Sequence, residues 1–202
     1  ITLLLFVLNA FQSCSKDDAP APEPIAQSEP EPTPEPKSEP EPEVEPEIQN
    51  NALSFDGVDD YVNLDTLARA LSLRKEITVE FWVKTTVEDN AETVRPAMFA
   101  INPASPGENK VLIVLGSQET EEQTGQLTIY EQGSPDKVLT SETRIDDGLC
   151  HHIAYVRTQT QVEAFLDGES MGTFEISVPL QASDRISLGQ EWDQDLKTGF
   201  FK

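Results

Sequence analysis

The sequence predicts an all-β fold, a two-sheet antiparallel sandwich or jelly roll, over most of its length. Apolar and polar residues alternate from Ile77 to Lys84, which is the two-residue period of a strand with one buried face. Similar short runs recur up to residue 188, with turn residues between them. Asp167-Gly168 separates two of these runs and is typical of a tight hairpin turn. Many short strands joined by turns are typical of sandwiches and jelly rolls.

The predicted elements follow one another from residue 52 to residue 188. The strands are Ala52–Asp56, Ile77–Lys84, Met98–Ile101, Val111–Leu115, Gln126–Tyr130, His151–Arg157, Val162–Leu166, Met171–Ile176 and Arg185–Leu188. In the second strand, one face carries Ile77, Val79, Phe81 and Val83, and the other carries Thr78, Glu80, Trp82 and Lys84. Only Leu64–Leu73 has helical spacing, which predicts one short helix.

Residues 1–13 are predicted to be a secretory signal sequence. The apolar run Ile1–Phe11 is shorter than the roughly 20 residues that a membrane-spanning helix needs, and it has the length of a signal-peptide core. Because the chain begins without Met or a cationic residue before this run, we expect the gene to begin several residues earlier.

Cys14 is the predicted site of lipidation. The segment Phe11-Gln12-Ser13-Cys14 resembles the lipobox of bacterial lipoproteins, although Gln12 stands where a small residue is usual. A plain signal peptide with an incidental cysteine is the alternative. Lys16-Asp17-Asp18 resembles the tag that sends some lipoproteins to the outer face of the outer membrane. We therefore expect an outer-membrane lipoprotein that is surface-exposed and anchored through Cys14.

Residues 14–50 are predicted to be a lipidated, disordered linker. Ten of the 15 prolines lie between residues 19 and 50, where Pro and Glu alternate. Proline removes a hydrogen-bond donor and the like charges repel, so neither helix nor sheet is expected. With little apolar surface to bury, we expect a solvated, extended stalk that precedes the folded domain. A docking motif for a partner is the alternative interpretation.

The net charge of −23 argues against nucleic acid as a partner, because phosphate binding needs clustered Lys and Arg. The chain contains two cysteines. If Cys14 carries lipid, Cys150 is left unpaired, and we expect it to behave as a small buried hydrophobic residue.

Several motifs of residues 51–202 resemble laminin-G-like jelly-roll domains of the concanavalin A-like class, most closely the pentraxin-like bacterial subgroup. These motifs are Ala52–Val62, Ile77–Lys84, Asp147–Ala154, Phe165–Gly168 and Ile186–Gly189, and they occur in the family's order. Two features depart from the family. Cys150 stands where a Trp is usual, and the closing strand that normally lies beside the opening one is not recognised before Lys202. We therefore expect Ala52–Asp56 to have an unpaired edge.

The sequence does not suggest a catalytic site. Related jelly rolls include glycosidases whose carboxylates alternate along one strand, so that both face one sugar. Glu163 and Asp167 have the wrong spacing, and the acids of Glu191–Asp195 fall in an expected loop. His151 and His152 are adjacent, so they should point to opposite faces and act in packing and hydrogen bonding.

A calcium ion is the expected cofactor, in a structural role. Asp56, Asp59 and Asp60 lie close together in the first turn, and Ca²⁺ takes several carboxylate and carbonyl oxygens. The resemblance implies Asp56 first, because related jelly rolls often hold a structural Ca²⁺ where the first and last strands meet. Ordinary turn chemistry is the alternative.

The expected function is non-catalytic binding at the cell surface, with a glycan as the favoured ligand and an extracellular protein as the other. Trp192, with Asp193 beside it, is the expected sugar-binding aromatic, whereas Trp82 is expected in the core. The alternatives are a glycoside hydrolase or lyase of the same superfamily, and an adhesive or structural spacer. The fold alone cannot choose among them, because it hosts many functions.

Overall fold

The protein was studied as a computed structural model, which describes residues 52–89, 95–104, 109–116, 125–132, 136–176, 178–193 and 195–202. The described chain is made of antiparallel strands with one short helical segment, and the predicted jelly-roll sandwich is confirmed. The strands are β1 (Val62–Asn63), β2 (Ile77–Thr86), β3 (Ala97–Asn102), β4 (Val111–Leu115), β5 (Gln126–Glu131), β6 (Lys137–Arg144), β7 (Asp147–Arg157), β8 (Gln161–Leu166), β9 (Glu169–Glu175), β10 (Arg185–Leu188), β11 (Glu191–Asp193) and β12 (Leu196–Thr198). The predicted helix is present as a 3-10 turn, Asp65–Leu67, that continues into α1 (Ala68–Ser72).

Two large sheets face each other. One has six strands in the order β1-β10-β3-β4-β5-β6, and the other has four in the order β2-β7-β8-β9. A separate two-stranded sheet joins β11 and β12. The main core lies between the large sheets and includes Ile113, Ile129, Ile153 and Tyr155, all almost fully buried.

The side chains of β2 alternate between the core and the solvent as predicted. Ile77 and Val83 are buried, whereas Glu80, Trp82 and Lys84 are exposed. The expectation that Trp82 lies in the core was therefore wrong. The two-residue period of the strand, rather than the family motif around it, determines the face on which this ring lies.

The central strands of the six-stranded sheet are buried on both faces. Val111, Ile113 and Leu115 belong to the main core, whereas Leu112 and Val114 belong to a second cluster on the opposite face. Continuous apolar runs such as β4 are typical of strands covered on both sides.

Three segments differ from the sequence-based expectations. Ala52–Asp56 is not a strand, so the expected unpaired edge does not arise there. The prediction missed β6, whose exposed residues are mostly polar and whose apolar alternation is short. Glu191–Asp195 was expected to be a loop, but β11 pairs with β12.

Phe55 packs against the core without being part of a strand. Its ring lies against Gly189, and a Cβ on that glycine would come within 2.6 Å of ring carbons of Phe55. Gly189 also has a positive φ of 80°, so it is needed both for the turn and for this close approach. Phe201, which is buried, donates its backbone N–H to the Gly189 carbonyl at 3.0 Å.

Cys150 differs from its expected state. The residue lies on β7, opposite Lys84 of β2, and it is half-buried and disulfide-bonded. The expectation of an unpaired, buried thiol was therefore wrong. Cys14 and the stalk lie outside the described residues, so their predictions stay predictions. Within the described ranges, none of the helical segments is long and apolar enough to cross a membrane.

A buried ion pair joins the two large sheets. The Glu131 carboxylate of β5 accepts hydrogen bonds from the Arg157 guanidinium and, at 3.1 Å, from the Tyr155 hydroxyl of β7. Arg157 also donates to the Val178 carbonyl. Burial raises the pKa of Tyr155, so its hydroxyl keeps its proton and remains a donor.

Candidate functional site

The β11–β12 hairpin holds Trp192 on the outer face of the six-stranded sheet. Ile101 faces the core, so the next residue, Asn102, faces outward from β3. The Asn102 side-chain amide donates to the Trp192 carbonyl at 2.9 Å, and its oxygen accepts the Trp192 N–H at 3.2 Å. The Asn102 side chain thus bonds both the N–H and the carbonyl of Trp192, as a neighbouring strand would, and fixes the backbone of Trp192.

Two cations lie against aromatic rings around Trp192. The Arg185 guanidinium carbon is 4.5 Å from the centre of the Trp192 ring. The Lys197 amine is 5.6 Å from the same centre and 4.0 Å from the centre of the Tyr61 ring, whose hydroxyl it contacts at 2.8 Å. Such cation–π contacts hold the charges close to the rings. We call Tyr61, Arg185, Trp192 and Lys197 the cationic aromatic cluster.

One carboxylate already contacts this cluster. The Asp195 side chain, which is 63 % exposed, lies 3.1 Å from the Arg185 guanidinium. An exposed ion pair of this kind contributes only about 0–1 kcal/mol, so an external carboxylate can compete for the guanidinium. Asp193, the second predicted ligand-binding residue, is exposed on β11.

Glu191 ties the β11–β12 hairpin to Asn109 through its side chain. Its carboxylate accepts a hydrogen bond from the Asn109 amide at 2.6 Å, and Asn109 in turn accepts one from Asn102. Burial raises the pKa of Glu191, and the nearby Asp193 charge acts in the same direction, whereas Arg95 and Asn109 act to lower it. Glu191 and Asp193 are two residues apart on one strand, so both lie on the same face of β11.

The first turn brings the three predicted metal ligands together. Carboxylate oxygens of Asp56, Asp59 and Asp60 lie within 4.8 Å of one another, and all three residues are exposed. Asp56 also accepts the N–H of Val58 at 2.8 Å and that of Asp59 at 3.4 Å. The bond from Val58 is the largest cause of the lowered pKa of Asp56. Both the metal and the turn interpretations predict this geometry, so it does not separate them.

The two adjacent histidines have different partners, as expected for opposite faces. Through its two ring nitrogens, His151 contacts Asp167 at 2.8 Å and Asp147 at 3.2 Å. The ring of His152 lies beside Trp82 instead. Partial burial acts to lower the pKa of His151, but the two carboxylates outweigh burial and the net shift is upward.

Two carboxylates of the β8–β9 hairpin, Glu163 and Asp167, make local contacts. Glu163 accepts the Ser170 hydroxyl at 2.9 Å, and Asp167 lies in the turn, where it also accepts the His152 N–H at 2.8 Å. This matches the expectation that Asp167 falls on the hairpin turn rather than beside Glu163 on a strand.

The cationic aromatic cluster was only partly predictable. Trp192 was identified because it is an aromatic residue in a polar segment. Arg185 and Lys197 lie within seven residues of Trp192, and Lys197 is opposite it in the β11–β12 hairpin, where a loop was expected. Tyr61 is far away in sequence, so no local signal could place it there.

The chain belongs to the Laminin_G_3 family, described as the concanavalin A-like lectin/glucanases superfamily, whose profile matches residues 56–201. Among solved structures, it is similar to the Ruminococcus gnavus IT-sialidase CBM40 bound to α2,3-sialyllactose, with 14 % identity, a TM-score of 0.53, and coverage of 70 % of this chain and 78 % of that one. The same CBM40 in a second structure gives 14 % identity, a TM-score of 0.53, and coverage of 70 % and 79 %.

Mouse laminin α1 chain domains LG4-5 give 15 % identity and a TM-score of 0.44, with coverage of 64 % of this chain and 32 % of that one. A search of curated proteins found no significant match. At these identities, the structural likeness shows the fold alone.

Proposed function

We propose that this domain is a non-catalytic carbohydrate-binding module that binds a glycan at the cationic aromatic cluster. The observation that carries the proposal is the placement of Arg185 and Lys197 on the rings of Trp192 and Tyr61. Aromatic surface packs against the apolar face of a sugar ring, while fixed donors bind its polar groups. A carbohydrate-binding module of similar fold, bound to sialyllactose, supports this class of function.

The cluster favours a sugar that carries a carboxylate. The whole chain has a net charge of −23, yet the two charged groups that lie over the Trp192 ring, Arg185 and Lys197, are cationic. Asp193 and Asp195 lie beside them. A planar guanidinium binds a carboxylate with two parallel hydrogen bonds, which gives both strength and orientation. The exposed Asp195 side chain is in contact with Arg185, and the acid group of a sugar would replace it there.

Titration calorimetry with α2,3-sialyllactose and lactose tests the proposal, because the two ligands differ by the acidic sugar. We expect binding of sialyllactose, and a loss of at least tenfold in affinity in Arg185→Gln and in Trp192→Ala. Arg74→Gln is the matched control, since Arg74 is exposed and distant in sequence from the cluster. Equal binding of lactose, or unchanged affinity in Arg185→Gln, would contradict the acidic-sugar assignment.

The same titration, repeated across sialylated and uronic-acid oligosaccharides, separates the binding module from a spacer. Absence of binding to every acidic glycan would refute the proposed site and favour an adhesive or structural role. Circular dichroism of each variant keeps loss of binding distinct from loss of fold.

A glycoside hydrolase is the second candidate, favoured by one observation. Glu191 and Asp193 lie on the same face of β11, and burial raises the pKa of Glu191, as for a general acid. However, the hydrogen bond from Asn109 gives Glu191 a structural role in the hairpin. Reducing-sugar release from polysaccharides that is abolished by Glu191→Gln would establish catalysis and overturn the non-catalytic assignment.

We also propose a structural Ca²⁺ at Asp56, Asp59 and Asp60. Their donor set fits, because hard oxygen ligands from carboxylates are those that Ca²⁺ takes. The ion would hold the first turn together, near Lys202, whose Cβ lies 3.0 Å from the position a Gly57 Cβ would take.

For localisation, we propose that the mature chain carries a lipid on the Cys14 sulfur, which excludes a disulfide between Cys14 and Cys150 in that form, and that a Pro/Glu stalk holds the domain at the outer-membrane surface. The proposal is supported by the sequence of residues 1–50. Metabolic labelling with a palmitate analogue tests it. Cys14→Ser should abolish the label, and a label retained in that variant would refute lipidation at this residue.

A further inference from the structure

We propose that Trp82 forms a second glycan-binding platform, for a neutral sugar, on the outer face of the four-stranded sheet. Trp82 is 44 % exposed on β2. The first site lies on the outer face of the six-stranded sheet, so the two platforms are on opposite sides of the sandwich. This inference stands on separate residues and goes beyond the proposed function.

The Trp82 ring is held in place by its cross-strand neighbour. His152 lies directly opposite Trp82 in the pairing of β2 with β7. The centres of the two rings are 5.1 Å apart, and the ring planes are tilted by 49°. The backbone N–H of His152 donates to the Asp167 carboxylate at 2.8 Å, and its ring lies beside Trp82 and Glu80, whose carboxylate is 3.8 Å from Nε2. A ring held in this way loses little side-chain entropy when a ligand stacks on it.

Two hydrogen-bonding side chains, Glu80 and His152, lie beside the Trp82 ring. The Glu80 carboxylate, two residues before Trp82 on the same face, lies 3.8 Å from the His152 ring nitrogen Nε2. Across the sheet from Glu80, Ala154 of β7 and then Phe165 of β8 lie in the same row, and Phe165 is half-buried. A carboxylate accepts hydrogen bonds from neighbouring hydroxyls, and an imidazole offers either a donor or an acceptor.

The charge of this face distinguishes it from the first site. Glu80 and Glu163 point outward there, since their cross-strand partners Ala154 and Val156 alternate with the inward-facing Ile153 and Tyr155. Lys84, two residues after Trp82, is also exposed on this face, so the two carboxylates are opposed by one ammonium group. The remaining negative charge disfavours an acidic sugar, whereas all three groups can hydrogen-bond the hydroxyls of a neutral one. The occupant that this face fits is therefore a neutral oligosaccharide.

The size of the apolar surface argues against a protein partner. A Trp side chain offers at most about 250 Å², so an exposed fraction of 44 % leaves roughly 100 Å². A stable protein interface needs about 800 Å² on each side. The neighbouring Ala154 is buried and Phe165 is half-buried, so they add little exposed apolar area. The area at Trp82 is close to that of one sugar ring.

Tryptophan fluorescence tests the proposal directly, because the chain contains only two tryptophans. Trp192→Phe leaves Trp82 as the sole tryptophan, and Trp82→Phe leaves Trp192. Each variant is titrated with cellohexaose, laminarihexaose, xylohexaose and a galactan hexasaccharide. We expect at least one of these neutral ligands to change the emission of Trp82 saturably, while the emission of Trp192 stays constant.

Calorimetry with the responding ligand then measures the role of the ring. Trp82→Ala should weaken binding at least tenfold, Trp82→Tyr should retain most of it, and Trp192→Phe should leave it unchanged. The site would be overturned by constant Trp82 emission with every neutral ligand, or by full affinity in Trp82→Ala. A response only to a cationic peptide would also overturn it and indicate a protein-binding face. Failure here leaves the sialyllactose test at Arg185 unaffected, so the two proposals fail separately.

Discussion

Replacing Glu131 with Leu should be the most destabilising single change in the charged part of the core. The carboxylate is fully buried and bonds both Arg157 and Tyr155 across the two sheets. Without it, the Arg157 guanidinium, whose side chain is 8 % exposed, keeps a buried charge that its partner no longer neutralises. Removing one partner of such a pair costs about 3–5 kcal/mol.

The size of the effect follows from the length of the domain. For domains of about 150–250 residues, each kcal/mol shifts the melting temperature by roughly 2–4 °C. We therefore expect Glu131→Leu to lower it by about 6–20 °C. Urea unfolding should show an unchanged slope and a lower midpoint, which identifies a loss of stability rather than a change in the unfolded state.

The double variant Glu131→Leu/Arg157→Leu separates this mechanism from simple loss of packing. Because it removes both charges, it should be more stable than Glu131→Leu, although the Val178 carbonyl loses the donor that Arg157 supplies. Tyr155→Phe removes the hydrogen bond that the hydroxyl donates to Glu131 and the longer one, 3.4 Å, that it accepts from Arg157, and should cost about 1.5–3 kcal/mol. A Glu131→Leu loss below about 1 kcal/mol, or a double variant no more stable than the single one, would refute the reasoning.

Three further predictions concern charge. His151 has a folded pKa above its ordinary 6.5, so its contribution to stability is complete below that pH and is lost as the pH rises through the folded pKa. His151→Gln should flatten this fall in melting temperature, and an unchanged pH profile would contradict the shift. Asp195→Asn should strengthen sialyllactose binding several-fold by calorimetry, because it removes the carboxylate charge that competes for Arg185, whereas weaker binding would mean that Asp195 orients the guanidinium. Calcium should raise the melting temperature measured against chelator, and Asp56→Asn should remove that increase. An equal response to calcium in this variant would exclude the Asp56 site.

The fold was largely predictable because its signal is local. Alternation from Ile77 to Lys84 requires only neighbouring residues, and the Asp167-Gly168 turn requires two. By contrast, β6 carries mainly polar residues, so its identity depends on the partner strand β5 that it meets in space. Ala52–Asp56 has an alternating pattern, but Phe55 is held by its contact with Gly189 rather than by a strand partner.

The candidate sites were less predictable because they depend on strand pairing. Arg185 lies beside Trp192 because β10 pairs with β3 and the hairpin is tied to Asn102. Both residues lie within one eight-residue segment, but their juxtaposition depends on β3, whose Asn102 is 90 residues before Trp192 in the sequence. For Trp82, the local pattern was the better guide. The alternation of β2 alone predicts that this ring is exposed, as it is, whereas the resemblance to a family motif suggested a core position.

The two tryptophans together suggest how one sandwich could serve two ligands. Arg185 and Lys197 lie over the Trp192 ring on the outside of one sheet, and Glu80 lies two residues from Trp82 on the outside of the other, where Lys84 is also exposed. A carboxylated sugar is attracted at the first face and repelled at the second, whereas a neutral sugar lacks the charge that Arg185 and Lys197 select. Specificity at each face would then come from the charged neighbours of its ring. Exchanging the charge at one face, as in Glu80→Lys, should therefore let that face accept acidic sugars without altering the other.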